Sequence, residues 1–247
     1  ASLECSEPLP WRIRDPVYTR LCGRGYSSRA MEERIRDIHR ALVDEHGEVT
    51  RSRDTDEIDS LVNTILSQNT SDANRDAGWQ GLLEEYGRDY RAIETADHDE
   101  LADAIRSAGL ANQKADRIQA SLRAIREENG EYSLDFLEGM DVFEAKAWLT
   151  EIKGIGPKTA GIILLFDFDM PYFPVDTHIE RLSKRFGLIP EDTSYEKAHE
   201  LLTEAVPAEI MYSFHVLMIT HGREYCTAQN PDCDNPVCRR FCDCEYC

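Results

Sequence analysis

Nine residues in the middle of the chain, Lys153-Gly-Ile-Gly-Pro-Lys-Thr-Ala-Gly161, demand a sharp reversal between two helices. Gly154 and Gly156 permit a tight turn with bare backbone N–H groups, and Pro157 suits the first position of a helix that Thr159 to Phe166 would continue. Such a turn can cradle a phosphate. Lys158 falls in the first turn of that helix, a candidate amine nucleophile beside its positive end. Taken alone, the segment fits equally well a surface lysine after an ordinary helix-turn-helix link.

A second segment, Val175-Asp-Thr-His178, supplies a carboxylate. Thr177 and Glu180 have the spacing of a capping box, which predicts a helix start and leaves Asp176 for another task. The competing assignment makes Asp176 itself the N-cap.

Apolar residues recur with helical spacing almost throughout. Ile58, Leu61, Val62, Ile65 and Leu66 form a stripe ahead of the segment "SQNTSD"; Leu101 and Ile105 form a second that ends at Gly109. A third, Ile118, Leu122 and Ile125, runs toward Gly130. Pro207 opens a later helix with Ile210, Met211, Phe214, Leu217 and Met218 facing inward and Gly222 at its end. Asp72 is expected to cap or brace the helix after "SQNTSD", and His178 and His221 read as packing residues. Convincing strand patterns are missing, so the fold class is all-α. The longest apolar run, Ile162 to Phe166, is too short to span a membrane.

Six of the eight cysteines, Cys226, Cys233, Cys238, Cys242, Cys244 and Cys247, lie in the last 22 residues, while Cys5 and Cys22 stand apart. A signal-peptide pattern is lacking, which favours a reducing interior and a metal or cluster site over disulfides. Thiolates suit zinc and iron-sulfur equally, although zinc ligands more often come as two close pairs.

Together "LTEIKGIGPKTAGIILLF", "VDTHIER", "HGREYC" and the cysteine tail resemble the endonuclease III family of helix-hairpin-helix DNA glycosylases, from roughly Met31 to the C-terminus. The resemblance implies two helical lobes with the active-site cleft between them. Here these would be a central domain at 50–170 with the helix-hairpin-helix, and a discontinuous domain of 27–49 plus 171–247 that includes the cluster loop at 226–247. Residues 1–26 form an extension that the resemblance does not cover. Lys158 falls on the Schiff-base lysine of the bifunctional members and Asp176 on the catalytic aspartate. Asn69 falls where the family plugs the gap left by a flipped nucleotide, with Gln68 beside it. Lys114 and the hairpin residues Lys153, Gly154, Ile155 and Gly156 complete the implied DNA contacts.

The family's tail, C-x6-C-x2-C-x5-C, holds a 4Fe-4S cluster; this chain reads C-x6-C-x4-C-x5-C through Cys226, Cys233, Cys238 and Cys244. Cys244 is the fourth ligand by spacing, with Cys242 and Cys247 in surplus. The family's basic first loop is also altered: residues 227–232 contain no Lys or Arg, leaving that contact to Arg239 and Arg240. The implied activity is a monomeric glycosylase with abasic-site lyase activity on oxidised pyrimidines in double-stranded DNA. The alternatives are a uracil or mismatch glycosylase of the same superfamily, and a non-catalytic DNA-binding or redox-sensing protein.

Charge sets a condition on that reading. The chain carries 47 acidic and 28 basic residues, net −19, the wrong sign for a nucleic-acid protein. Residues 146–185 hold six basic and five acidic groups, so the acidity lies elsewhere. An acidic surface with few lysines is expected of a protein from a high-salt cytoplasm, where self-repulsion is screened.

Overall fold

The computed structural model describes residues 28–51 and 56–242, and all regular structure among them is helical. Twelve α-helices and two 3-10 turns follow in order: α1 Ser28–His46, α2 Glu57–Ser67, α3 Asp72–Tyr86, α4 Tyr90–Thr95, α5 His98–Ala104, α6 Ala111–Asn129, α7 Val142–Glu151, α8 Pro157–Phe166, α9 Thr177–Arg185, α10 Tyr195–Ala205, α11 Ala208–Glu224 and α12 Pro236–Phe241. The expected extension at 1–26 lies outside the described residues.

Contacts divide the chain into Ser52–Pro174, which holds α2 to α8, and a flanking unit of Ala1–Arg51 with Val175–Cys247, which holds α1 and α9 to α12. The central unit is organised by α2, whose stripe Ile58, Leu61, Val62, Ile65 and Leu66 is wholly buried. Around it pack Leu101 and Ile105, then Ile118, Leu122 and Ile125 of α6, and Leu149, Ile163 and Leu164 of the hairpin helices. Burying one such aliphatic side chain contributes about 1.5–3 kcal/mol, so this cluster is what holds the turn bearing Lys158 in place. Gly130 ends α6 in the left-handed region at φ 79°, and Gly109 (φ 71°) follows a 3-10 turn at Arg106–Ala108. The stop at Gly130 is as the sequence predicts, whereas α5 already ends at Ala104 and Gly109 closes the 3-10 turn that follows it.

In the flanking unit, α11 packs on α1 and α9. Its buried face carries Met211, Phe214, Leu217 and Met218, while Ile210 is only half-buried. Gly222 does not end α11, which runs on to Glu224. A Cβ there would stand 3.0 Å from the Cβ of His178 and 3.2 Å from Leu182, so the glycine permits close approach of α9 and α11. Asp72 is the first residue of α3 and pairs with Arg75 at 3.1 Å, whereas the cap is Ser71.

Candidate functional site

The hairpin is built from two helices with defined caps. Asp141 and Glu144 form a reciprocal capping box that starts α7, and Ile152 ends it. Gly154 then takes φ 91°, which only glycine adopts without strain, and Ile155 drops its side chain into the core at 4% exposure. The Ile155 N–H donates back to the Ile152 carbonyl at 3.0 Å. Gly156 caps α8 in extended backbone at φ −98°, so no conformational need demands a glycine there. A Cβ at 156 would meet nothing within 4 Å, which leaves its backbone open to approach. Pro157 opens α8 as predicted, and Lys158 follows it, exposed, in the first turn. Lys153 is also exposed and lies 3.8 Å from Asp116.

Lys114 departs from its expected role. It is fully buried, and its ammonium donates to the carbonyls of Leu66 and Ala108, each at 2.7 Å. Burial pushes its pKa down, with Arg117 adding to the effect. A side chain consumed in tying the end of α2 to the turn before α6 is a core strut and does not reach a ligand.

Gln68 and Asn69 prove to be different kinds of residue. Gln68 ends α2 and donates through Nε2 to the Gly154 carbonyl at 3.3 Å and to Thr159 Oγ1 at 3.2 Å; its own Oε1 accepts from Arg117 Nη1. Asn69 is exposed with φ 52°, a left-handed conformation that asparagine tolerates. Beside this loop, Ser60, Asn63, Thr64 and Ser67 of α2 line an open groove of about 320 Å³ with Arg75 and Asp76.

Asp176 belongs to the flanking unit and does what the competing assignment foresaw. Its Oδ1 accepts from the N–H groups of His178 at 2.9 Å and Ile179 at 2.8 Å, so Asp176 caps α9 while Thr177 is exposed as its first residue. The predicted capping box is therefore replaced: an aspartate one residue earlier aims at the same orphan N–H groups. Asp176 is 8% exposed. Tyr195, which nothing in the sequence marks, donates its hydroxyl to the Val175 carbonyl at 2.7 Å and so fastens the residue before Asp176. Burial, and then the Asp176 charge, push the Tyr195 phenol up to about 12.

The same helix reaches the cysteine loop. Arg181 donates to the carbonyls of Gly222 and Cys226 at 2.8 and 3.1 Å, and Arg185 to the Cys226 sulfur at 3.1 Å. Cys226 and Cys238 are both fully buried. A hydrogen bond from Cys238, reinforced by Arg185, holds the Cys226 thiol below the usual range, while the same bond and burial push Cys238 up. His221 Nε2 lies 3.3 Å from the Cys238 sulfur, and burial next to His46 lowers the His221 pKa to about 4. Its packing role thus includes a sulfur contact.

Cys233 is half-buried and disulfide-bonded, Cys242 is half-buried, and Cys244 and Cys247 lie outside the described residues. Among the described residues no group of three or more His, Cys, Asp or Glu could hold a metal ion. The donor chemistry still suits a thiolate-held group. Two buried sulfurs converge, each supplied with a nitrogen partner, and Cys233 is a ligand only when reduced. Arg239 and Arg240 are exposed on α12.

The family described as HhH-GPD superfamily base excision DNA repair protein matches residues 62–208, more than half of the chain. Endonuclease III of Sulfolobus acidocaldarius is 35% identical over 184 residues, 74% of this chain and 80% of that protein. Endonuclease III of Thermotoga maritima is 32% identical over 213 residues, 86% of this chain and 92% of that one. Among solved structures, a trapped covalent intermediate of endonuclease III with DNA superposes with a TM-score of 0.71 at 28% identity, covering 86% of this chain and 95% of the other.

Proposed function

The chain belongs to the HhH-GPD superfamily of base excision DNA repair proteins and is a DNA glycosylase and lyase, and we propose that it excises oxidised pyrimidines with Lys158 as nucleophile and Asp176 as the ionised carboxylate at the sugar. The observation that carries this reading is the exposed Lys158 in the first turn of α8, two residues after Gly156, whose backbone faces open space. The substrate is double-stranded DNA bound by a monomer.

In the proposed sequence the damaged base is flipped out of the stack, and Asn69 fills part of the hole it leaves. Asp176 stabilises positive charge developing at C1′ and assists proton transfer. The Lys158 amine bonds to C1′ as the glycosidic bond breaks, and the base departs with its electron pair and takes up a proton. Ring opening gives a protonated imine, which acidifies the C2′ proton. Loss of that proton expels the 3′-phosphate and cuts the strand, a step the protonated imine promotes far more than the neutral aldehyde that attack by water would leave. The open backbone at Gly156 and the Lys153 ammonium group support a phosphate seat at the hairpin.

We also propose that Cys226, Cys233, Cys238 and Cys244 hold a 4Fe-4S cluster. When bound, such a cluster supplies a four-point cross-link of the C-terminal loop and a redox-active centre. Thiolate-to-iron absorption in the visible, with iron and sulfide analysis, tests this directly. Borohydride trapping on a duplex containing an abasic site tests the nucleophile: wild-type protein gives a covalent adduct, and Lys158→Ala gives none while still binding the duplex. An adduct that survives in Lys158→Ala removes Lys158 from the mechanism. A panel of damaged duplexes then tests the preference for oxidised pyrimidines, which release of uracil or mismatched thymine without strand cutting would overturn. The acidic surface further suggests adaptation to a high-salt interior.

A further inference from the structure

Gln68 and Arg117 stand outside the chemistry, yet they connect everything in the central unit that the proposed reaction uses. Arg117 lies on α6 and lays its side chain across Gly154; a Cβ there would collide with the Arg117 Cγ and Cδ and come within 2.7 Å of Nε. Its guanidinium donates to Gln68 Oε1. Gln68 in turn donates to the Gly154 carbonyl at 3.3 Å and to Thr159 Oγ1 at 3.2 Å. Thr159 is 6% exposed and is the residue after Lys158; Asn69 is the residue after Gln68. One amide side chain therefore spans the loop that carries Asn69 and the turn and helix that carry Lys158. One guanidinium clamps that amide in its working orientation, because the acceptor oxygen is taken by Arg117 and only the NH2 can face the hairpin.

We propose that Gln68 and Arg117 form a positioning brace that locks the Asn69 loop to the Lys158 turn, so that plug and nucleophile are presented to one nucleotide as a rigid pair. This rests on the proposed roles of Asn69 and Lys158. Gln68 accordingly leaves the set of DNA-contacting side chains and becomes the strut that aims its neighbour. The glycine at 154 acquires a second reason besides its positive φ: the arginine must pass over it. A brace of this kind acts on the bound complex more than on encounter, since hairpin backbone and surface cations remain intact without it. Misplacing a nucleophile by a fraction of an ångström costs rate, and a displacement of about 1 Å can cost on the order of 100-fold.

Single-turnover cleavage of an abasic duplex, measured over a range of protein concentrations, separates the rate of the bound complex from the dissociation constant. Arg117→Met keeps the stem over Gly154 and removes the fork. Gln68→Glu keeps the acceptor for Arg117 and removes the donor to Gly154 and Thr159. Each variant is expected to slow the bound complex by roughly tenfold with little change in affinity. The double variant is expected to be no slower than the worse single one, because both break the same link.

Fluorescence of 2-aminopurine placed opposite the abasic site supplies a readout independent of cleavage. Wild-type binding should change it sharply, and either variant should blunt that change. Weakened affinity at unchanged rate would make Arg117 a phosphate contact and overturn the brace, as would additive losses in the double variant or unchanged behaviour in both singles. If Arg117→Met does not fold, Gln68→Glu carries the test alone. Wild-type protein that neither cuts nor traps on the abasic duplex would instead count against the lysine mechanism.

Discussion

At the scale of single residues, Asp176 has two duties that substitution can separate. Its carboxylate caps α9 through two N–H groups, a role that needs only an acceptor oxygen, whereas the proposed chemistry needs a charge. Asp176→Asn should retain the cap and a nearly unchanged thermal midpoint while strand cutting falls by orders of magnitude. Asp176→Ala should lose both, with about 1 kcal/mol of stability going with the cap. Equal activity in wild type and Asp176→Asn would relieve the aspartate of any charge role. Lys114 makes the opposite case. Lys114→Met leaves the Leu66 and Ala108 carbonyls buried without a donor, at about 1–3 kcal/mol. A thermal shift should follow, with the affinity for undamaged duplex unchanged per folded molecule. The sequence could not distinguish these two lysines. Lys114 and Lys158 are both lysines near helix starts, and only packing reveals that one points into α2 and the turn before α6 while the other points outward.

At the scale of helices, what could be read in advance was what periodicity encodes. The α2 and α6 stripes, the proline start of α8 and the glycine stop of α6 follow from local rules, and each appears where expected. The misses are choices between near-equivalent partners. Asp176 or Thr177 could cap α9, and Gly222 could end α11 or admit a neighbour; in both cases tertiary contacts decide. Long-range polar ties were likewise invisible.

The clearest tie joins α4 to α6. Glu94, 5% exposed, accepts from Arg126 at 2.8 and 2.9 Å and from the Tyr132 hydroxyl at 2.7 Å. The Arg126 hydrogen bonds, aided by Tyr132 against the cost of burial, lower its pKa from 4.5 to about 2. A carboxylate whose folded pKa lies below its unfolded one stabilises fully above pH about 4.5 and loses that contribution as the pH falls toward about 2. Glu94→Gln should thus lower the urea midpoint at neutral pH, and the gap to wild type should narrow across that acid window. A gap that stays constant with pH would mean that Glu94 acts through packing and not through its charge.

At the scale of the whole chain, the question is how a protein of net charge −19 handles a polyanion. Only six of its 28 basic residues are lysine, and four of those, Lys146, Lys153, Lys158 and Lys184, fall within 146–185. At low ionic strength the Debye length reaches about 30 Å, so carboxylates far from the hairpin repel DNA and one another; at about 1 M salt it shrinks to about 3 Å, and they no longer do. Molar salt also weakens the counterion-release part of DNA affinity, which scales with the number of phosphates neutralised. Backbone N–H groups at the proposed hairpin seat act at short range and lose little to screening. The two effects together predict a urea midpoint that climbs with KCl and a cleavage optimum at high salt, where a lysine-rich glycosylase would be released from DNA. Measuring the two quantities in one KCl series checks the account. Peak activity at low salt with loss in molar KCl would show that the acidic surface is no adaptation to brine, whereas parallel rises in both would tie the chain's composition to its chemistry.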